Sequence, residues 1–410
     1  MFNAISFRTF LFYIFLGFFL SARFTSAQEF HSKAMGVGSC SSSNCHGGIT
    51  PKNTGNILGN EFVTWYKYDR HSKSFQTLLS PESKRIAYLL GVGSPQSDKL
   101  CLDCHATNST HKAEKFRIED GVGCESCHGA GEQWLSTHTS KDATHAQNIA
   151  NGLIDLKNLS TRAQVCSSCH YGDEKKEVTH RLYGAGHPRI SFELDTYEAV
   201  MPRHWKDSSY KAIDGWVIGQ IDLAKRNLAH LKRHISSHEI FPEFSQFSCF
   251  SCHQSISQKG FMTRPRSERV GLPRINTTHL ETISIILAAS KNSTLTTWSD
   301  YVSKLHESSN QADSLDAIAN LEDQLETIQK KSVLVSSNEL RIALGEFISK
   351  NPGFDLQLAE QLVMAVASLN QENKKIDQKQ LKKLYSIVKN AESYNPGNAA
   401  SELMHALRYK

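Results

Sequence analysis

The residues best able to do chemistry are ten cysteines, and each belongs to a pair that runs straight into a histidine. The five sites are Cys40-SSSN-Cys45-His46, Cys101-LD-Cys104-His105, Cys124-ES-Cys127-His128, Cys166-SS-Cys169-His170 and Cys249-FS-Cys252-His253. Four have the spacing C-x-x-C-H, the attachment signature of c-type haem. The first carries two extra residues between its cysteines, a small-residue insert that reads as a loop variant of the same device. Two thiols add across the haem vinyl groups, and the adjacent imidazole becomes the proximal iron ligand. Cysteines three apart lie on one face of a helical turn, from which the following histidine reaches the metal. Paired cysteines also build zinc ribbons and disulfides of exported proteins. Neither needs a histidine after every second cysteine. The expectation is five covalently attached haem c groups, with His46, His105, His128, His170 and His253 as proximal ligands.

The leading residues agree with that chemistry. Arg8 precedes the apolar run TFLFYIFLGFFLSA, which ends near Thr25-Ser26-Ala27. Basic, apolar and small residues in that order make a secretory signal peptide, here 1–27. The run is shorter than the roughly 18 residues of a membrane span, so cleavage after Ala27 is expected, with an uncleaved anchor as the alternative. Covalent haem attachment is extracytoplasmic in bacteria, so the expected location is the periplasm, with membrane contact only if the segment stays. The formal charge of +5 leaves out the cofactors. Each ferric haem with two neutral ligands and two propionates adds about one negative charge, leaving the loaded protein near neutral. No nucleic-acid partner is expected.

The elements that must position the sites fall into two stretches. From 40 to 253 the chain is rich in histidine and glycine and poor in long periodic segments, as expected where porphyrin supplies much of the core. One strong helix interrupts it, with Val217, Ile221, Ala224, Leu228, Leu231 and Ile235 on one stripe. Beyond it come amphipathic stripes, Leu315–Ile328, Leu358–Leu369 and Leu381–Val388, with turn signals at Asn351-Pro352-Gly353 and Asn395-Pro396-Gly397. The fold class is therefore mainly α: a loop-rich haem-wrapped core over 28–277, then a C-terminal α-helical region over 278–410. His279, His306 and His405 in that region read as surface or core side chains.

Several phrases outside the cysteine pairs resemble a known family. Trp65-YKYDR-His71, GVGCESCHGAG around the third site and GEQWLSTH ending at His138 are similar to periplasmic multihaem cytochromes. These are related to the tetrahaem electron carrier of ammonia oxidisers and share the haem packing of hydroxylamine oxidoreductase. A closer group of multihaem cytochromes carries TRAQVCSSCH, His180-RLYGAGHPRISFE, PRHW and FPEFSQFSCFSCHQ. The resemblance runs from about Gly36 to about Gln254. The chain departs from the tetrahaem pattern in its C-x4-C-H first site and its extra haem, so the family's ligation does not transfer haem by haem. No site reads C-x-x-C-K, which sets aside the lysine-ligated haem of pentahaem nitrite reductases.

Function then turns on the sixth iron ligands. A haem with one axial histidine keeps an open face for a small molecule, whereas one with two passes electrons. Nineteen histidines and six methionines leave ample supply. The resemblance implies His71 and His138. His187 stands in Gly186-His187-Pro188, where glycine and proline set the backbone. His180 precedes it by about one turn, and His204, in Pro202-Arg203-His204-Trp205, is the fifth choice. His230 and His234 are rivals, four apart on the strong helix but on the flank of its apolar stripe, which suggests a solvated or haem-edge role. His111 and His145 sit in polar loops, and His31 near the new N-terminus. Two functions remain open: an electron-transfer cytochrome serving periplasmic or membrane redox partner proteins, and a multihaem oxidoreductase acting on a small nitrogen or sulfur compound at one five-coordinate haem.

Overall fold

The computed structural model describes residues 32–52, 57–206, 209–237, 243–253, 274–308, 310–330 and 335–408. The expected signal segment 1–27 and His31 lie outside them. The protein is mainly α, with three isolated β-bridges and no strand among the described residues.

The first part is built of short helices: α1 (Glu61–Tyr68), α2 (Ser74–Thr77), α3 (Pro81–Leu90), α4 (Lys99–His105), α5 (Cys124–His128), α6 (His145–Ala150), α7 (Leu159–His170), α8 (His180–Ala185) and α9 (Leu194–Val200). Local signals start and stop them. Ser80 caps α3 by accepting from Ser83 N at 3.1 Å, Pro81 takes the first turn, and Gly91 ends it in the left-handed region. Three cysteine pairs close helices, so that α4, α5 and α7 each end on the histidine of their motif. The other two do not. The first lies in turns behind a 3-10 turn at Val37–Ser39, and the fifth on a 3-10 turn at Cys249–Ser251.

A single long helix, α10 (Ala212–Ser236), joins the two parts. Its 25 residues span about 37 Å at 1.5 Å per residue. It packs on α7 and α9 on one side and on C-terminal helices on the other. Gly219 permits the first contact, since a Cβ there would stand 2.8 Å from Leu194 Cβ. Among the described residues seven helices follow: α11 (Thr278–Ala289), α12 (Leu295–Glu307), α13 (Gln311–Lys330), α14 (Ser337–Lys350), α15 (Leu356–Asn373), α16 (Gln378–Val388) and α17 (Pro396–Ala406). The stripes expected over 315–328, 358–369 and 381–388 lie on α13, α15 and α16. Asn395-Pro396 proves to be a helix start, with Asn395 accepting from Asn398 N at 2.9 Å and Pro396 in the first turn.

One continuous apolar core unites Ile213, Trp216, Leu228 and Leu231 of α10 with Leu280, Trp298, Leu321, Leu344 and Leu362 of the helices after it. The core thus runs across the boundary expected at 277/278. A polar seam runs beside it. Arg189 forks onto both oxygens of Glu360, one contact at 2.8 Å. Buried Asp195 accepts from Ser368 Oγ at 2.7 Å, Gln371 Nε2 at 2.6 Å and Tyr210 OH at 2.9 Å. Buried charges satisfied on every side tie two elements together in one register.

Candidate functional site

A cavity of about 2480 Å³ runs through the first part. An ordinary ligand pocket measures roughly 300–1,000 Å³, so this one has room for several large cofactors. Its walls carry the first four cysteine pairs and their histidines, together with His71, His138, His187 and His204. The cysteines are all free thiols. The thiols of Cys40 and Cys124 lie close enough to act on each other's ionisation, as do those of Cys104 and Cys169, so site one adjoins site three and site two adjoins site four. The fifth pair stands apart, with Cys252 exposed.

The histidines meet across this space in pairs. A metal at about 2.0 Å from one nitrogen of each of two imidazoles places the ring centres roughly 6 Å apart. His46 and His138 stand 6.4 Å apart with planes 8° from parallel. The separation is 6.0 Å for His71 and His170, 6.4 Å for His105 and His187, and 6.2 Å for His180 and His253. Each pair joins one motif histidine with one separately expected partner. His128 has no histidine ring facing it at such a separation among the described residues. His204 is the nearest in effect, since its charge acts on His128 ahead of that of His46.

Hydrogen bonds sort the rings further. His46 Nδ1 donates to Glu61 Oε2 at 3.0 Å and His71 Nδ1 to Asp69 Oδ1 at 2.9 Å. His105 Nδ1 donates to Ser74 O at 3.2 Å, His138 Nδ1 to Leu135 O at 2.6 Å, and His187 Nδ1 to Pro188 O at 2.9 Å. His204 Nδ1 lies 3.3 Å from Pro202 O. Occupying Nδ1 selects the tautomer whose Nε2 lone pair can bind a metal, as partners of metal-bound imidazoles do. His145 and His234 spend Nε2 instead, on Asp155 at 3.0 Å and Glu177 at 2.6 Å, and His306 spends it on Thr277 at 3.2 Å.

The electrostatics follow from these contacts. The Glu61 hydrogen bond raises the His46 pKa, and the Asp69 bond does the same for His71. Burial by itself would raise Glu61, but the bonds from His46 and from backbone amides hold it down at about 2. Burial lowers His128 and His170 to about 4, keeping both rings neutral, the form that donates to a metal. Gly129, directly after His128, has φ 83, and a Cβ there would stand 2.6 Å from Gly152 O. Only glycine turns the chain there without strain. Thiol pairs beside opposed imidazoles, around a space of this size, fit haem as a donor set.

Of the two rival histidines, His230 departs from the expected solvated flank. His230 is 3% exposed and neither solvated nor opposite a motif histidine. Its ring stacks on Tyr171 at 5.5 Å and its Nδ1 lies 3.3 Å from Glu177, while its Nε2 is buried without a partner. The segment bearing Glu177 covers the flank of α10, which the helical stripe alone left open. His279 is also buried, with Nδ1 3.1 Å from Gln220 Oε1. Sequence reasoning missed Glu61 and Asp69. The short phrase Asp69-Arg70-His71 was the available signal, because an aspartate two residues before a histidine can cap the turn and hold its ring.

The fold and the donor set define a multihaem cytochrome arrangement, and the known proteins agree. Residues 39–129 match the family described as cytochrome c554 and c-prime. The cytochrome c-554 of Nitrosomonas europaea is 29% identical over 124 residues, covering 27% of this chain and 52% of that protein. Over that stretch, which holds the first three cysteine pairs, this chain is similar to that family. The match spans about half the length of that curated relative. No solved structure matches the chain.

Proposed function

We propose that this protein is a periplasmic pentahaem c-type cytochrome that relays electrons between redox partner proteins of the periplasm or membrane. One haem c is carried on each of the five cysteine pairs, within 28–277. His46 with His138, His170 with His71, His105 with His187 and His253 with His180 would each hold one haem iron, and His204 is the remaining candidate partner for His128. Residues 278–410 act as a helical brace on α10. The observation that carries this reading is the set of four imidazole pairs at 6.0–6.4 Å, each uniting a motif histidine with a partner distant in the chain. When bound, each haem supplies a one-electron couple, and two imidazoles without a methionine favour a low potential. Glu61, Asp69 and the carbonyls of Leu135 and Pro188 hold the rings in register, so little reorganises as charge arrives. The approach of sites one and three, and of two and four, supports close packing along a relay.

A second reading, an oxidoreductase acting on a small nitrogen or sulfur compound at one open haem, is favoured by the unmatched His128. Intact-mass analysis of the exported protein tests the first claim. Five haems are expected, with Cys45→Ser removing one of them. Four haems on the natural chain would exclude the Cys40–Cys45 site.

A further inference from the structure

We propose that the lysine face of α16 docks the protein on the surface of an anionic phospholipid bilayer. The proposal goes beyond the relay reading and does not depend on how many haems are bound. Residues 374–389 carry six lysines, Lys374, Lys375, Lys379, Lys382, Lys383 and Lys389, against one aspartate, Asp377. Of the chain's 46 basic and 41 acidic side chains, 40 of each lie elsewhere, so the formal excess of +5 is concentrated in this stretch. All six lysines are exposed. Asp377 is spent as the N-cap of α16, accepting from Gln380 N at 2.7 Å.

Helical geometry gathers the charges. At about 3.6 residues per turn, Lys379, Lys382 and Lys383 fall on one side of α16, with Lys389 at its C-cap beside them. The opposite side is already occupied. Leu384 and Val388 are buried in the continuous core, and Leu381 and Ile387 pack against it. The apolar face is therefore committed to the protein, and the outward face offers charge alone.

Lysines that merely solvate a helix are placed differently in this molecule. On α13 and α14, Lys330 pairs with Glu326 at 3.3 Å and Lys350 with Glu346 at 3.6 Å, and Lys232 of α10 pairs with Glu322 at 2.7 Å. No acidic residue lies within α16. Among the described residues, Lys383 alone of the six meets a carboxylate, Glu402 at 2.7 Å. The arrangement also costs the helix. Lys379 has like-charged neighbours three and four residues on, and it sits in the first turn, where the helix dipole favours acid. Lys374 ends α15 in the left-handed region with φ 52, a position that glycine or asparagine ordinarily takes. Neither packing nor pairing accounts for these lysines. A negative surface laid against them cancels their repulsion.

The pattern favours lipid over protein. Protein interfaces are enriched in arginine and depleted in lysine, and this stretch has six lysines and no arginine. A compact, mobile ammonium suits a diffuse sheet of phosphates, and clusters of about four to eight basic residues mark anionic-lipid sites. Tyr385, at the edge of the face, reaches Thr196 of α9. The next residue, Tyr197, packs on His170 at 4.9 Å. The docked helix thus lies on the side of the molecule that holds the fourth cysteine pair.

The test uses the exported holoprotein beginning near Gln28, so that no leader contributes. Vesicles of phosphatidylglycerol mixed with phosphatidylcholine are compared with phosphatidylcholine alone, and co-sedimentation should show binding to the mixed vesicles only. Raising salt from about 0.01 M to about 0.15 M shortens the Debye length from about 30 Å to about 8 Å and should release most of the protein. Lys375→Gln, Lys379→Gln and Lys382→Gln together should weaken binding about 100-fold, at roughly 5-fold per lysine, with the haem spectrum unchanged. Arginine at the same three positions should bind like the natural protein. As a control, Lys232→Gln, Lys330→Gln and Lys350→Gln together remove equal charge from paired sites and should weaken binding less than about 5-fold. Equal binding to uncharged vesicles, or equal losses in the two glutamine triples, overturns the proposal. Washed bacterial membranes, with and without protease treatment, separate the two classes of partner. Binding that survives protease supports a lipid surface. Binding abolished by protease assigns the lysines to an acidic membrane protein and overturns the proposal.

Discussion

Residues 32–206 and 278–408 are both helical, yet different materials hold them together. In the first stretch the buried apolar clusters are small, such as Phe75, Leu78, Leu102 and Ala106, or Leu90, Leu182 and Ala185. They surround a cavity of about 2480 Å³. In the second, one core extends through α11 to α17 and takes in the apolar face of α10. A helix of four to eight residues cannot stand by itself, and most of α1–α9 fall in that range. Such helices are instead positioned by what they enclose. The long C-terminal helices bury stripes against one another and need no cofactor. The two means meet at α10, the longest helix among the described residues.

The sharpest way to break this contrast is to withhold the haems. Full-length chain made where haem attachment does not occur should lose amide protection throughout α1–α9 and keep it in α11–α17, read by hydrogen exchange. Equal protection in both parts would show that the first stretch has a sufficient core of its own. A smaller effect compares two leucines in the loaded protein. Leu362 is fully buried in the large core, and Leu362→Ala should cost about 2–5 kcal/mol. Leu78 sits in a four-residue cluster against the cavity, where a neighbouring cofactor can close the gap, so Leu78→Ala should cost less, about 1–2 kcal/mol. Urea titrations followed by far-ultraviolet circular dichroism rank them. The reverse order would assign the first stretch a conventional core.

The smallest effect concerns acid. Glu61 has a folded pKa of about 2, below the usual glutamate value, through its bond from His46. A depressed carboxylate contributes stability above its unfolded pKa, and that contribution is lost as pH falls through the folded value. The first haem site should therefore weaken between about pH 4.5 and pH 2. Glu61→Gln should flatten that dependence, leaving the helical part's acid response unchanged. An unaltered profile in Glu61→Gln would show that the Glu61–His46 bond does not support the site.

What was legible in the chain depended on range. Attachment chemistry needs two thiols and an imidazole within a few residues, so spacing alone marked the five cysteine-pair motifs. The apolar stripes of α10, α13, α15 and α16 were readable because burial on one helix face leaves a 3.6-residue period. Which imidazole faces which was a different matter. His46 meets His138 and His71 meets His170 across long loops, and no local rule couples them. His230 marks the same limit: its helix position puts it on a flank, and only the docking of Glu177 buries it. An imidazole becomes a ligand through the nitrogen left free and the space in front of it. Asp69 settles the first for His71 from two residues away, but the space is made by elements that meet only when the chain has folded. Sequence therefore determined where haem can be attached, and tertiary packing decided which histidines stand across from those sites.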